Sequence, residues 1–331
     1  MSAAGVTVDV VVPIYRPGPW IERCLRSVAE QRGAEVRLVL VDDDPATPMA
    51  ADLAARARTQ AVALGTDRNR GFAAAVNAGI ALGDAPFVLT LNQDASIARD
   101  YLRRLVDRME ADPGLGSAAG KLLHVAAPGG EPDGMIDSAG LRMGRARRAA
   151  DIGQGEPDDG RFDAWREVFG VSAAAALYRR AALEAVSDDG QIFDERFFMY
   201  KEDVDLAWRL RLRGYRAGVD GVAIGWHARG SSRVAPDERL APALRRVIAL
   251  WRQERAKPAI LRERSWRNQW LMVLKNERPD QFLRALPEHL AAEAALTAVG
   301  LALDPIATIR SRLRLLRELP AALERRRAAF G

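Results

Sequence analysis

Val6-Thr7-Val8-Asp9-Val10-Val11-Val12-Pro13 is an apolar run broken at Asp9, the pattern of a parallel strand with both faces buried. Pro17 to Pro19 turn the chain, and Trp20 to Gln31 reads as a helix ending at Gly33. Glu35 to Val41 is a second strand, stopping at Asp42-Asp43-Asp44-Pro45. A helix-like stretch from Met49 to Ala61 leads to a short third strand, Val62 to Gly65. The polar loop Arg68-Asn69-Arg70-Gly71-Phe72 opens a helix over Ala73 to Leu82, and Pro86 to Leu91 is a fourth strand ending in Asn92-Gln93-Asp94. This alternation predicts an α/β, Rossmann-like domain with a mainly parallel sheet flanked by helices. Ligands bind at the carboxyl ends of such strands, which here carry Tyr15, Asp42, Asn92 and Asp94.

Val125 to Arg161 is rich in Gly, Pro, Asp and Arg and reads as a long irregular excursion with a hairpin and a loop over the site. Val168 to Tyr178 returns to strand, followed by a helix over Arg179 to Val186. Then comes Phe-Phe-Met-Tyr-Lys-Glu-Asp-Val-Asp-Leu-Ala-Trp-Arg-Leu-Arg-Leu-Arg-Gly-Tyr, from Phe197 to Tyr215. Asp203 is expected to cap a helix whose apolar face carries Val204, Ala207, Trp208 and Leu212, with Gly214 ending it. A carboxylate there, shielded by aromatics, meets the conditions for a general base. Ala217 to Trp226 reads as a strand delivering His227. Beyond Pro236 the sequence is helical, over Leu240 to Gln253, Ala259 to Lys275 and Ile306 to Leu319. The boundary is expected near Val234 to Pro242, giving a catalytic domain over 1–235 and a C-terminal helical extension over 236–331.

The 331 residues are 48% hydrophobic, enough for a large core. The single Cys24 allows no intrachain disulfide, which suits a reducing cytoplasm. Met1 to Gly5 lead directly into the first strand, so no secretory leader is read there. The apolar run Ala294 to Leu303 is much shorter than the about 20 residues a membrane-spanning helix needs. A net charge of +5 favours anionic partners. Nucleic acid is set aside, because the arginines are scattered among carboxylates and no recognition motif appears. A nucleotide diphosphate or an anionic membrane surface fits the charge. In the tail, arginines from Arg310 to Arg327 interleave with leucines, which points to the inner face of the plasma membrane or to a second copy of the chain.

Asp94, just past a buried strand, is placed to hold Mg²⁺ or Mn²⁺ against a diphosphate, with His227 as the second ligand. Pro13, Tyr15, Asp42, Arg68 and Asn69 form a candidate base pocket in which the acid accepts from a pyrimidine ring N–H. Arg229 and Arg233 suit a departing diphosphate, and Glu202, Tyr200 and Trp226 are assigned to the acceptor side or to support of the base. No Gly-x-Gly-x-x-Gly or P-loop lysine occurs. A nucleotidyltransferase would carry a Gly-rich basic loop where Pro13-Ile14-Tyr15-Arg16-Pro17 stands. A glycan-binding protein without catalysis is the other rival.

These pieces resemble glycosyltransferase family 2. The likeness runs from about Val8 to Arg233. It rests on Val-Val-Pro-Ile-Tyr-Arg, Val-Leu-Val-Asp-Asp-Asp, Asn-Arg-Gly-Phe-Ala-Ala-Ala-Val-Asn-Ala-Gly, Leu-Asn-Gln-Asp-Ala and Phe-Asp-Glu-Arg-Phe-Phe-Met-Tyr-Lys-Glu-Asp-Val-Asp-Leu. Glu167-Val168-Phe169-Gly170 ahead of Leu177-Tyr178-Arg179-Arg180, with Arg267-Asn268 to Lys275-Asn276, is most similar to bacterial rhamnosyltransferases of surface polysaccharide assembly. The resemblance implies a GT-A fold and an inverting transfer from a nucleotide diphosphate sugar, with dTDP-rhamnose the expected donor, to a glycan or lipid-linked hydroxyl. Asp203 matches the catalytic base, Asp94 the last acid of the metal motif, and Asp42 the base-binding acid. Two positions depart from the pattern. Asn92 stands where many relatives have Asp, leaving the cation to Asp94 and His227. Ala173 adds a methyl where a glycine facing the donor sugar is expected.

Overall fold

The computed structural model describes residues 5–127, 130–228, 251, 255 and 258–330. The chain divides into two compact units. One comprises Met1–Arg142, Asp151–Phe198 and Glu202–Arg229; the other comprises Met143–Ala150, Met199–Lys201 and Gly230–Gly331.

The first unit is built on β1 (Thr7–Ile14), β2 (Glu35–Asp42), β3 (Gln60–Gly65), β4 (Phe87–Leu91), β5 (Ala95–Ile97), β6 (Leu115–His124) and β7 (Ile136–Ser138). After β8 (Leu141–Met143) and β9 (Ala149–Asp151), which pair as a separate ribbon, come β10 (Arg166–Val168), β11 (Ala175–Arg179) and β12 (Arg216–His227). Between them lie α1 (Ile21–Ala29), α2 (Ala50–Arg56), α3 (Phe72–Ala81), α4 (Tyr101–Ala111), α5 (Arg180–Ala185) and α6 (Glu202–Leu212). The sheet order is β10-β12-β6-β11-β4-β1-β2-β3, with β5 on β12 and β7 on β6. The first four strands pair with one another in parallel, and β11 is antiparallel to both β4 and β6. β6 and β12 therefore run with β1 to β4, and the carboxyl ends of all of these share one edge.

The alternation along β1 explains why its sequence is apolar throughout. Val8, Val10 and Val12 enter one core with Cys24, Leu25 and Val28 of α1 and with Tyr101 and Leu105 of α4. Val11 enters the opposite core with Val76 and Ile80 of α3 and Leu206 and Leu210 of α6. Two covered faces demand apolar residues in both registers. α3 lies so close that a Cβ on Gly79 would stand 2.4 Å from Val11 Cγ1.

Asp9, the break in that run, is fully buried. Its carboxylate accepts from Arg37 Nε at 2.6 Å, Arg180 Nη2 at 2.7 Å and the Ala85 N–H at 3.0 Å.

Several expectations change. α2 ends at Arg56 rather than Ala61, and β3 starts at Gln60. The run Val168 to Tyr178 is interrupted, giving β10 and β11 in place of one strand. The excursion after Val125 carries β7, β8 and β9 and is fastened by buried Lys121, which donates to Asp158 at 2.6 Å and also to Asp163. Three elements were unread in the sequence: β5 and β6, which complete the sheet, and α4, which packs on it. β6 is disguised by glycines that its neighbours require: a Cβ on Gly120 would lie 2.0 Å from the Ala223 carbonyl oxygen.

The second unit contains α7 (Ala259–Asn276), α8 (Pro279–Arg284), α9 (Leu286–Leu303) and α10 (Pro305–Phe330). Apart from Trp251, the helix expected over Leu240 to Gln253 lies outside the described residues, as does the boundary near Val234 to Pro242. α8 and α9 were not anticipated, and α10 continues well past Leu319. Glu293 joins three of these helices by accepting from the Trp266 indole at 2.8 Å, the Trp270 indole at 3.1 Å and Arg312 at 3.0 Å. No helix among the described residues is long and apolar enough to cross a membrane.

Removing Asp9 takes the buried carboxylate from Arg180 and leaves Arg37 only the exposed Asp84. Asp9→Ala is expected to lower unfolding free energy by about 3–5 kcal/mol, read from urea denaturation. A loss below about 1 kcal/mol, the level of an exposed ion pair, would contradict this account of the buried carboxylate.

Candidate active site

The carboxyl edge of the sheet is tied together by side-chain and backbone bonds. Past β4, Asn92 donates its N–H to the Ala174 carbonyl at 2.9 Å. The Gln93 amide grips the residue after β1 in both directions: Tyr15 N–H donates to Gln93 Oε1, and Gln93 Nε2 donates to the Tyr15 carbonyl, each at 2.9 Å. β5 then pairs antiparallel with β12, setting Ala95 opposite His227, and the Ala228 N–H donates to the Asp94 carbonyl at 3.1 Å.

This register brings Asn92, Asp94 and His227 together. His227 Nε2 lies 3.4 Å from Asp94 Oδ1 and 3.4 Å from Asn92 Nδ2, while Nδ1 lies 2.9 Å from Asp137 Oδ2. Asp137 on β7 is almost fully buried, as is His227. Burial alone would push the imidazole pKa down, but the bonds and charges of Asp137 and Asp94 raise it to about 9. The ring therefore carries its proton near neutrality.

Among the described residues no group of three or more acid, histidine or cysteine side chains could hold a metal unaided. The chain offers two donors, Asp94 and His227, and the second imidazole nitrogen is fixed by a buried carboxylate, the usual support of a ligating histidine. A cation completed by phosphate oxygens and water fits this donor set, provided it displaces the Nε2 proton. Beside the pair a shallow pocket is lined by Trp20, Arg23, Val125 and Trp226. The Arg23 guanidinium stands 5.6 Å from the centre of the Trp226 ring and donates to the Gly130 carbonyl at 3.2 Å.

The acids after β2 are engaged with backbone. Asp42 is buried and accepts from the N–H groups of Asp44 at 3.1 Å, Ala50 at 2.8 Å and Met49, fastening the entry to α2. Asp43 accepts from the Thr66 hydroxyl at 3.0 Å and the N–H groups of Arg70 at 2.8 Å and Gly71 at 2.7 Å. The Thr47 hydroxyl, with the Ala46 N–H and Arg16, holds the Asp44 carboxyl below the usual carboxylate range. Arg68 and Asn69 are exposed past β3, where Asn69 Oδ1 accepts from Gly71 at 3.1 Å. Pro13 is half-buried and Tyr15 is exposed. The Ala173 methyl sits in the second core, and its carbonyl accepts from Thr90 at 2.8 Å.

α6 begins at Glu202, so Asp203 lies in its first turn and is not the cap. Its Oδ1 accepts from the Val204 N–H at 2.8 Å. The helix is enclosed on more sides than its sequence suggested: Asp205 and Arg209 are buried and paired at 2.9 Å, whereas Leu212, expected inside, is exposed. Gly214, at φ +85°, ends the helix as anticipated, with the Tyr215 N–H donating back to Leu210 at 3.0 Å. Burial pushes the Tyr178 phenol well above its ordinary value, and the charges of Asp203 and then Glu202 add to the rise. Ahead of α6, Phe198, Tyr200 and Lys201 have φ of +63°, +71° and +73°. Arg229 and Arg233 lie outside the described residues.

Sequence reasoning missed Gln93, Asp137, Trp20 and Arg23. Asp137 carried no local signal, being one acid in a Gly- and Asp-rich excursion. Gln93 was visible only as a strand-end amide.

The model of the family described as "Glycosyl transferase family 2" matches residues 9–186, more than half of the chain. That span includes Asp42, Asn92 and Asp94 and stops short of Asp203 and His227. A curated "N-acetylglucosaminyltransferase" of Rhizobium sp. (strain N33) is 29% identical over 253 residues, 73% of this chain and 51% of that protein. The chain thus spans about half the length of that relative. The "N-acetylglucosaminyl-diphospho-decaprenol L-rhamnosyltransferase" of Mycobacterium tuberculosis (strain CDC 1551 / Oshkosh) is 31% identical over 231 residues, 62% of this chain and 71% of that one. Among solved structures, a mannosyltransferase from Pyrobaculum calidifontis in complex with GDP-Man and Mn²⁺ superposes with a TM-score of 0.51 at 18% identity, covering 98% of this chain and 84% of its own. That likeness is one of fold, and it agrees with the mostly parallel sheet described above. With more than half its length matched by the family model, the chain belongs to glycosyl transferase family 2.

Proposed function

We propose that the protein is an inverting glycosyltransferase that moves a sugar from a nucleotide diphosphate donor to a hydroxyl of a glycan or lipid-linked acceptor. The observation that carries this reading is the Asp94–His227 pair at the shared strand-end edge, with Asp137 fixing the far side of the imidazole. Rhamnose from dTDP-rhamnose is the donor sugar proposed, on the likeness to the mycobacterial rhamnosyltransferase. In this reading residues 1–235 carry catalysis.

Asp94 and His227 would hold Mg²⁺ or Mn²⁺, which when bound supplies positive charge beside a diphosphate. Pro13, Tyr15, Arg68 and Asn69 receive the nucleobase, over a loop that Asp42 and Asp43 fasten through backbone N–H groups. Arg229 and Arg233 are assigned to the departing diphosphate. The acceptor hydroxyl, set by Tyr200, Glu202 and Trp226, gives its proton to Asp203 while its oxygen attacks the anomeric carbon. The carbon–oxygen bond to the diphosphate breaks on the opposite face, so configuration inverts without a covalent intermediate.

We further place the C-terminal helices at an anionic membrane surface. On α10, Ile306, Ile309, Leu313, Leu316 and Leu323 are all exposed, at the three- and four-residue spacing of one helical stripe. Arg310, Arg314 and Arg317 are exposed along it. A second copy on this stripe would bring like charges together, whereas anionic lipid complements them.

Asp203→Asn keeps an acceptor for the Val204 N–H but no base. Turnover is expected to fall about 10²–10⁴-fold with donor affinity retained, as measured by nucleoside diphosphate release and by calorimetry. Near wild-type turnover would transfer the role to Glu202 or Asp205. Asp94→Ala is expected to remove Mn²⁺-dependent binding of the nucleoside diphosphate in calorimetry, and His227→Ala to weaken it less. Binding that is unchanged in Asp94→Ala rules out the cation site. The full chain is expected to sediment with phosphatidylglycerol vesicles at low salt, less so as salt rises, and not to do so after the double substitution Leu313→Ser, Leu316→Ser. A lipid-free dimer that this double variant dissociates, with no vesicle binding by either protein, would assign the stripe to self-association.

A further inference from the structure

The turn that leads into α6 is held in a conformation its residues do not favour, and the means of holding it can be named. Phe198, Tyr200 and Lys201 all have positive φ, a region that side chains with a Cβ adopt only when their surroundings impose it. Phe198 is set by Gly71. A Cβ on Gly71 would stand 2.5 Å from Phe198 Cγ, so only glycine admits the ring, and the Ala73 N–H donates to the Phe198 carbonyl at 3.3 Å.

The next two residues are held by Asn268 of α7. Its Nδ2 donates to the Met199 carbonyl at 2.9 Å and to the Tyr200 carbonyl at 2.8 Å. Successive carbonyls in an extended chain point opposite ways. One amide nitrogen can reach both only if the chain folds back between them, as positive φ at Tyr200 requires. The amide itself is oriented: Oδ1 accepts from Arg267 Nε at 3.1 Å and Nη2 at 2.9 Å, and Arg267 Nη1 lies 3.1 Å from Glu318 Oε1. A guanidinium has no acceptor to offer, so Nδ2 must face the carbonyls. Asn268 is wholly buried.

We propose that Asn268 is a positioning residue for the catalytic acid: by gripping the Met199 and Tyr200 carbonyls it fixes the turn from which Glu202 and Asp203 emerge. This rests on the reading of Asp203 as the base. Asn268 touches no reacting atom in the proposal, and its effect is on the geometry of proton transfer rather than on donor binding.

The test compares the wild type with Asn268→Ala and Asn268→Asp, the latter setting a carboxylate against two carbonyls. The readout is nucleoside diphosphate release from whichever of dTDP-rhamnose, UDP-GlcNAc and GDP-mannose the wild type turns over. We expect kcat to fall on the order of 10²-fold, the effect of an ångström-scale misplacement, with donor KM within about threefold. Lys201→Gly supports the fold, since glycine accepts positive φ without strain. In Asn268→Ala/Lys201→Gly the melting temperature is expected to recover while kcat stays low. A folded Asn268→Ala with wild-type kcat overturns the proposal, as does recovery of kcat together with stability in the double variant. Asp203→Asn separates the two readings. If it is inactive while the Asn268 variants are normal, only the positioning role fails; if it is active, the base assignment fails first.

Discussion

The site depends on the pairing of β5 with β12. β5 is three residues long, yet its register decides whether Asp94 meets His227. A slip of one residue would turn His227 to the other face of the sheet. The pairing is held by packing: Ala95 and Ile97 are buried, and Gly225 lets Leu122 approach to within 2.6 Å of where a Cβ would stand. Behind it, the buried Tyr101 hydroxyl donates to the Ala175 carbonyl at 2.6 Å and accepts from Gly120 at 2.8 Å, joining β11 to β6. A three-residue strand is marginal alone. Here it inherits its register from strands already buried on both faces.

Charge at this edge is partly offset before any ligand arrives. Asp94 and Asp137 flank one imidazole, and their attraction outweighs the burial that would strip its proton. The acids after β2 follow a different rule. Asp42 and Asp43 accept from backbone N–H groups in the loop after β2 and at the entries to α2 and α3. One row of strand ends therefore contains acids that shape loops and acids that face a histidine. Their sequence positions, each just past a strand, do not distinguish the two kinds.

That ambiguity marks how far the sequence could be read. β1, β2 and β4 were legible because burial on both faces leaves a nearly continuous apolar signal, whereas the exposed edge strand β3 was read two residues late, and Asp94 and His227 were legible because each follows such a signal. β6 was not, because close neighbours require glycine at Gly120 where a strand former would be expected. Asp42 was read as the acid that accepts from a nucleobase, although its oxygens serve a loop seven and eight residues onward. Asp203 was read as a cap two residues too late, since no side-chain pattern distinguishes the first turn of a helix from its cap when acids fill the whole turn. Asp137 was invisible because its partner is 90 residues away.

The resemblance had picked out Arg267-Asn268 and Lys275-Asn276 without a physical reason, and burial supplies one. α7 buries Glu263, Arg267, Asn268, Gln269, Lys275 and Asn276 on faces where a helix ordinarily presents leucine. Well-packed apolar residues would in general be as stable or more so. What polar groups add is direction. Gln269 donates to the Arg147 carbonyl at 2.6 Å, Arg147 pairs with the buried Glu277, and Asn268 grips two consecutive carbonyls. Each bond has one geometry in which it is satisfied, and an unsatisfied buried amide costs about 1–3 kcal/mol. A leucine in place of Asn268 could fill the volume, but it would take the amide donor from the Met199 and Tyr200 carbonyls and leave the turn free to relax towards negative φ. The helix thus gives up packing stability at these positions for an orientation that packing alone does not specify.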